Sequence, residues 1–486
     1  MANTSIKKNT VLNSIKTASS ILFPLITFPY TLRVLQTENV GKVNFGLSIV
    51  SYFSLIASLG ITTYAIRECS AVREDKTKLS NVSSQIYTIN IITTIVAYLA
   101  MLVTLLVYRK LDDYRLLIAI QSFTIIATTI GADWLNSAME DFKFITIRTV
   151  AFQVVSLALM FIFVHKPEDY MIYAFISLVA SAGANIANVW YRKRYCKVRI
   201  VGNLVKDIEW TRHMKPILLL FVMLLAQTIF SSVDSTMLGV MHGDYAVGVY
   251  SAAHKILNVI NQVVASLLWV IMPRMSYFFS IKDYANVNVL LRKVLGFNLV
   301  LGLPIVVGGI MIAQDIIVVS GGEEYAEAAT VLQIMLIGFA FSLIGGSFLG
   351  NAILLPSKQD TYYMIVCCIT AVVNIIGNYI FIPKYGVNAA AMTTAVCSLV
   401  IMILLFFKVD KNIKIDHLAK LIISPVVGCV GIAGVCLVTR LIPNLWIRVG
   451  VCLVFSIAIY GVVQLVFKNE IVELALSSLK RRLKRA

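Results

Sequence analysis

Charge is what this chain has least of. Only 14% of its 486 residues are Asp, Glu, Lys or Arg, against about 25% in soluble proteins. A soluble chain of this length would fold as two or three domains and would need more charge to cover them. Cysteine is present without a pattern. The eight residues include the adjacent pair Cys367 and Cys368 but no C-x-x-C spacing, so neither a disulfide framework nor a zinc site is expected. There is no P-loop, no H-E-x-x-H and no nucleophile with its base, which argues against an enzyme and calls for no cofactor. The first apolar run ends in PYTLRVLQ and not at a small-residue cleavage site, so the first helix is expected to be retained.

What the chain has instead is apolar sequence, with 59% hydrophobic residues. Runs of about 20 apolar residues, the length that crosses a bilayer, recur throughout. They lie near 12–36, 41–66, 83–108, 116–137, 145–164, 170–191, 214–239, 248–273, 294–318, 328–353, 362–382, 388–407, 418–440 and 446–467. The expected fold class is an all-α polytopic membrane protein of about 14 transmembrane helices. An even number puts both termini on one side. About thirty basic residues fall on that side, in Lys7 and Lys8, the stretches 67–78, 143–148, 192–212, 274–293 and 408–420, Lys358, and the tail from Lys468; about eight fall on the other. The basic side is cytoplasmic by the positive-inside rule. The net charge of +17 is therefore a topology signal, and nucleic acid is not expected as a partner.

The longest hydrophilic stretch, RKRYCKVRIVGNLVKDIEWTRHMK, divides the first twelve spans into two sets of six. It predicts an N-terminal six-helix lobe (1–191), a basic cytoplasmic linker (192–213), a C-terminal six-helix lobe (214–407), two further helices (408–467) and a basic tail (468–486). In the tail, Ile471, Leu474, Leu479 and Leu483 share a face beside the cations Lys480 to Arg485, which suits a helix on anionic membrane lipid. External loops such as HKPEDY and PKYGV are too short for a domain. A short repeat relates the lobes. LQTENVGKVNF follows the first span and MHGDYAVGVYS the seventh, each with an acidic residue (Glu38, Asp244) ahead of a glycine (Gly41, Gly248). Repeats in one orientation imply a pseudo-twofold axis along the membrane normal.

Polar side chains in membrane-length helices face protein or water, because lipid satisfies none of their hydrogen bonds. In the eighth span Lys255, Asn258, Gln262 and Ser266 lie on one helical face; in the seventh, Gln227, Ser231 and Asp234 do. The first two spans carry Ser20, Thr27 and Thr31, then Asn44, Ser48, Ser51 and Ser58. A hydrated cavity shared by these four helices accounts for all four stripes. Asp234 and Lys255 lie at equal depth, about 10 Å below the outer surface, where they could pair or where Lys255 could meet an anion. Arg33 near the outer end of the first span, and Lys16 and Lys215 near inner ends, either face the cavity or snorkel to the interface. Asp133 reads as an interfacial helix cap. Pro24 and Pro29 interrupt the first span and predict a bend fit for a hinge.

Four blocks resemble the Wzx-type polysaccharide flippases of the multidrug/oligosaccharidyl-lipid/polysaccharide exporter superfamily. They begin at FPLITFPYTLRVLQTENVGKVNFGLS, DWLNSAMEDFKFITIR, SSVDSTMLGVMHGDYAVGVYSAAHKI and IPKYGVNAAAMTTAV. The resemblance implies two six-helix lobes around a central cavity. It implies movement of a polyprenyl-pyrophosphate-linked oligosaccharide from the inner to the outer leaflet of a bacterial cytoplasmic membrane, by alternating access. A polysaccharide polymerase and a chain-length regulator are the implied protein partners. The cationic cavity residue of such proteins is carried over to Arg33 and Lys255. The coupling ion, H+ or Na+, stays open. Two other readings compete: a cation-coupled multidrug antiporter, which would want carboxylates deeper in the spans than Asp234 alone, and a membrane glycan polymerase, which would want a large external loop.

Overall fold

The structure is a computed structural model, and it describes residues 6–204, 206–415, 418–473 and 477. Most of the expected amphipathic tail, including Leu474, Leu479, Leu483 and Lys480 to Arg485, lies outside these residues, as does the chain start. Among the described residues all regular structure is helical. The elements are α1 (Ile6–Ser58), α2 (Ile61–Ala71), α3 (Lys76–Val107), α4 (Arg115–Gly131), α5 (Trp134–Ala138), α6 (Phe142–Phe163), α7 (Tyr170–Leu178), α8 (Ala184–Tyr191), α9 (Trp210–Ser280), α10 (Tyr284–Met311), α11 (Ala313–Gly321), α12 (Ala328–Ser342), α13 (Asp360–Phe406), α14 (Leu418–Thr439) and α15 (Leu445–Val466).

Among the described residues, eleven helices are long and apolar enough to cross a membrane. The three longest, of 57, 56 and 47 residues, are each broken at an interior residue with non-helical dihedrals, Gln36 (φ 62°), Gly243 (φ 80°) and Gly386 (φ 56°), and the first also spans a stop at Leu59 and Gly60. Glycine enters this left-handed region without a Cβ penalty, so two of the three breaks are read directly from residue type. Gln36 is the exception. α1 keeps helical dihedrals through Pro24 and Pro29, and its interior departure comes only at Gln36. A further stop at Leu59 and Gly60, with φ of 44° and 80°, ends α1 inside the span expected at 41–66. The residues beyond it form α2, whose Ile61, Tyr64 and Ala65 are buried with Trp134, Leu135, Cys196 and Ile208 in one apolar cluster.

The chain forms two compact units, Met1–Gly248 and Val249–Ala486. The stretch 192–213, expected as a linker, is packed against α3. Ser80, Ser84 and Thr88 recur one turn apart on α3, a spacing that puts them on one face. Ser80 donates to the Lys197 carbonyl (2.6 Å), and the Ser84 and Thr88 hydroxyls accept from the Arg199 and Val201 amides (3.1 and 3.0 Å). Gln85 Oε1 accepts from the Glu209 amide (3.0 Å) and meets Nε2 of the buried His213 (3.0 Å). Nδ1 of that ring pairs with the Tyr64 hydroxyl (2.8 Å). Arg192, counted above as a loop cation, is buried with its guanidinium 4.6 Å over the Tyr87 ring.

In the second unit, α14 and α15 dock on α10. The Tyr460 hydroxyl donates to the Val300 carbonyl (2.7 Å), Arg448 meets Asp315 (2.6 Å) at the start of α11, and Gln464 and Ser424 bond to each other across the pair. Burial of Leu291, Leu295 and Leu299 with Phe348, Leu349 and Val366 builds the neighbouring core.

Candidate functional site

In the first unit the two repeat sequences meet. Gln36 and Gly243 each precede, by five residues, a glycine that touches the other turn. A Cβ on Gly41 would fall 1.8 Å from the Asp244 carbonyl oxygen, and one on Gly248 would fall 2.0 Å from the Thr37 carbonyl oxygen. The equal spacing from break to glycine sets Asp244 opposite Thr37 in register, one residue away from the Glu38 equivalence read from sequence. The Asp244 carboxylate instead accepts from the Tyr114 hydroxyl (2.5 Å), and Glu38 pairs with Lys42 (3.1 Å). Below this crossing runs a hydroxyl ladder. Thr236 donates to Ser48 (3.0 Å), Ser51 donates to Ser232 (3.0 Å), and the Tyr52 and Thr236 hydroxyls are 3.2 Å apart.

The polar stripes divide accordingly. Ser48 is buried, its hydroxyl shared between the Phe45 carbonyl and Thr236, so it joins helices. Asn44 donates to the Val40 carbonyl (2.7 Å). Asp234 is 2% exposed. Gln227, Ser231 and Arg33 are exposed, and Lys16, Pro24 and Pro29 are half-buried. In the second unit Asn258 and Gln262 are exposed and Lys255 is half-buried. Asn258 Nδ2 lies 3.3 Å from His254 Nδ1, and the His254 ring stacks near Tyr250 at 5.6 Å. The side chain of Ser266 is outside the described residues.

Two polar groupings escaped sequence reasoning. In the first unit a cavity of about 240 Å³ is lined by Ser58, Asn90, Thr128, Asp133, Trp134 and Asn185, among others. Asp133 makes no cap hydrogen bond; its carboxylate takes Arg148 (2.5 Å), a residue counted above with the loop cations but only 5% exposed. Trp134 Nε1 and Arg148 Nη1 are buried without a hydrogen-bond partner, so the region has unmet donors that ordered water could serve. In the second unit Asn374 and Asn378 are fully buried on α13; Asn378 Nδ2 donates to Asn374 Oδ1 (3.2 Å), Asn374 donates to Thr394 (3.1 Å), and Thr393 donates to Asn378. The signal for this chain of amides was the N-x-x-x-N spacing in VVNIIGNYI. Among the described residues no group of three or more His, Cys, Asp and Glu comes together that could hold a metal ion.

The family model described as polysaccharide biosynthesis protein matches residues 6–279, and the MatE model matches residues 220–380. A capsular polysaccharide biosynthesis protein, CapF, of Staphylococcus aureus is 24% identical over 404 residues, covering 80% of this chain and 96% of that one. A putative O-antigen transporter of Escherichia coli K12 is 23% identical over 338 residues, 68% of this chain and 79% of that one. Among solved structures, the lipid II flippase MurJ in an inward closed conformation superposes with a TM-score of 0.75 at 15% identity, covering 95% of this chain and all (100%) of that one. An inward-facing multidrug resistance transporter of the MATE family superposes with a TM-score of 0.55 at 13% identity, covering 80% and 97%. At these identities the two structures speak for the fold alone.

Proposed function

From the premise that this multi-pass membrane chain belongs to the polysaccharide biosynthesis protein family of the exporter superfamily, we propose that it is a flippase for lipid-linked oligosaccharide. It moves a polyprenyl-pyrophosphate-linked repeat unit of a surface polysaccharide from the cytoplasmic to the outer leaflet of a bacterial cytoplasmic membrane, and it makes or breaks no bond in doing so. The names of the relatives, a capsular polysaccharide protein and O-antigen transporters, support the substrate class.

One observation carries the reading. Gln227 and Ser231 in the first unit, and Asn258 and Gln262 in the second, are exposed midway along helices of membrane-spanning length. Hydrocarbon leaves such groups unsatisfied at a cost of several kcal/mol each, so they belong against water or a polar ligand. A glycan head cannot cross hydrocarbon, whereas its polyprenyl tail can stay there. In each unit such a polar face replaces water for the head while the tail remains in lipid, with Arg33 and Lys16 in the first unit and Lys255 in the second supplying positive charge toward the pyrophosphate. Asp234, Asn44 and Ser48 support the helices that carry the first of these faces.

The test is transport in vesicles holding the purified protein and a fluorescent lipid-linked oligosaccharide. Asn258→Leu with Gln262→Leu, and Lys255→Ala, are expected to lower the flipping rate about tenfold or more while protein yield stays within twofold, and Lys255→Arg is expected to keep part of the activity. Unchanged flipping in all three variants would sink the assignment of this helix face, and no flipping by the native protein would sink the function.

A further inference from the structure

A second pocket, of about 290 Å³, opens in the second unit where the turn that follows α9 and the turn that follows the π-helix Leu343–Leu354 approach the loop after α13. Two lysines line it, Lys282 and Lys358, and they hold equivalent places. Each sits just past a helix end with left-handed dihedrals, φ 55° and 61°. The Lys282 amide donates to the Phe279 carbonyl (3.1 Å) and the Asp283 amide to Phe278 (3.0 Å); the Lys358 amide donates to Leu355 (3.2 Å) and the Gln359 amide to Leu354 (2.9 Å). This pattern is the helix stop whose left-handed position normally belongs to glycine. Lys468 ends its helix in the same way away from this pocket, so what sets Lys282 and Lys358 apart is that both line one cavity.

The electrostatics of the pocket can be judged group by group. Each turn joins the C-terminus of one helix to the N-terminus of the next, so the helix-dipole contributions oppose one another. That leaves two ammonium charges against Asp410. The Asp410 carboxylate is already occupied, accepting from the Tyr284 hydroxyl (2.8 Å) and from the amide and side chain of Asn412 (2.9 Å each). No ion pair among the described residues engages either lysine. Ser276 adds a hydroxyl at the wall, the Ser280 hydroxyl donates to the Tyr277 carbonyl (2.7 Å), and Gln359 Oε1 is buried with no hydrogen-bond partner. Phe279 and Ile353 close the pocket with apolar surface.

We propose that this pocket binds a phosphate ester bearing a hydroxylated substituent, supplied by the headgroup of an anionic phospholipid. Lys282 and Lys358 hold the phosphate as point charges, and the Ser276 hydroxyl donates to one of its oxygens. Gln359 Oε1 takes a hydroxyl of the substituent, and the apolar wall leads on to the acyl chains. On the flippase reading these turns lie at the cytoplasmic leaflet, and the inference rests on that reading for the side of the membrane only.

Glycine substitution provides the test. Lys282→Gly with Lys358→Gly removes both charges and relieves both backbones, so the variant folds at least as well as the native chain. The full-length protein in nonionic detergent is titrated with short-chain phosphatidylglycerol, matched phosphatidylcholine, or inorganic phosphate, and thermal unfolding is followed. Phosphatidylglycerol is expected to raise the midpoint of the native protein saturably and phosphatidylcholine to leave it unmoved; the double variant should need about tenfold more phosphatidylglycerol. If inorganic phosphate alone matches the lipid and displaces it, the site stands with a soluble phosphate as its occupant. Equal responses of native and double-glycine protein, or equal responses to the two lipids, overturn the proposal. The measurement is made in micelles without transport, so its failure leaves the flippase reading standing.

Discussion

Gly41 and Gly248 face backbone, and backbone cannot step aside. A methyl group on either would overlap a carbonyl oxygen at 1.8 or 2.0 Å, so the two helix breaks would have to part. Gly41→Ala is expected to destabilise the protein by about 3 kcal/mol or more, at or beyond the top of the usual range for overpacking. Gly243→Ala meets open space but must keep φ 80° and ψ −172°, a region essentially reserved to glycine, so its cost should be about 1–3 kcal/mol, from backbone strain alone. Unfolding midpoints of the two variants in one detergent compare them, and equal losses would refute the close approach. Asp141 shows a different residue-scale effect. Burial pushes its carboxyl up, but the hydroxyls of Tyr191 and Tyr195, each 2.7 Å away, and the Phe144 amide outweigh burial and hold it below the usual carboxylate range. A lowered folded pKa gives stability that is present above the unfolded value of about 3.9 and is lost as pH falls through the folded value. The stability gap between native protein and Asp141→Asn should therefore close below about pH 4; a gap constant from pH 6 to pH 3 would contradict this.

At the scale of the element, α1 poses the question of where a long helix bends. Pro24 and Pro29 each remove a backbone donor, yet the dihedrals stay helical at both and depart at Gln36. The prolines remain our proposed hinge, because a weakened ladder lets bent and straighter forms differ by little energy. Gln36 is then a fixed corner, locked by the glycine crossing. Spin labels on α1 on either side of the prolines, with and without lipid-linked oligosaccharide, test this. A distance distribution that shifts in the native protein and stays single in Pro24→Ala with Pro29→Ala is expected; one that never shifts removes the hinge. The serine and threonine spacing of α3 is the clearer lesson. Ser80, Ser84 and Thr88 were present in the sequence at one-turn intervals, but their partners are one backbone carbonyl and two backbone amides more than a hundred residues away. Periodicity names a face; it does not name what the face receives.

For the whole molecule, we propose from the asymmetry of basic residues that 192–212 and both termini lie in the cytoplasm. Single cysteines at Lys193 and Lys206, in a chain whose native cysteines are replaced, should be labelled by an impermeant maleimide only after the cell membrane is opened. Labelling of intact cells would reverse the topology and with it the direction of transport proposed here.

Hydrophobic run length determined much by itself. Crossing hydrocarbon requires each helix to satisfy its own backbone, so the all-helical class and the approximate positions of the long helices follow from local composition. The polar positions Gln227, Asn258 and Gln262 were legible for the same reason, since an amide in an apolar run stands out whatever surrounds it. The tertiary structure alone decided which polar groups are consumed in packing. Ser48 looked like Ser231 in sequence, but one is buried against Thr236 and the other is exposed. Arg148 looked like a loop cation until Asp133 was found beside it. Burial and pairing depend on residues distant in the chain, and local pattern carries no information about them. The corner at Gln36 belongs with these, because a glutamine takes left-handed dihedrals only when the packing around it, here the crossing of Gly41 and Gly248, holds it there.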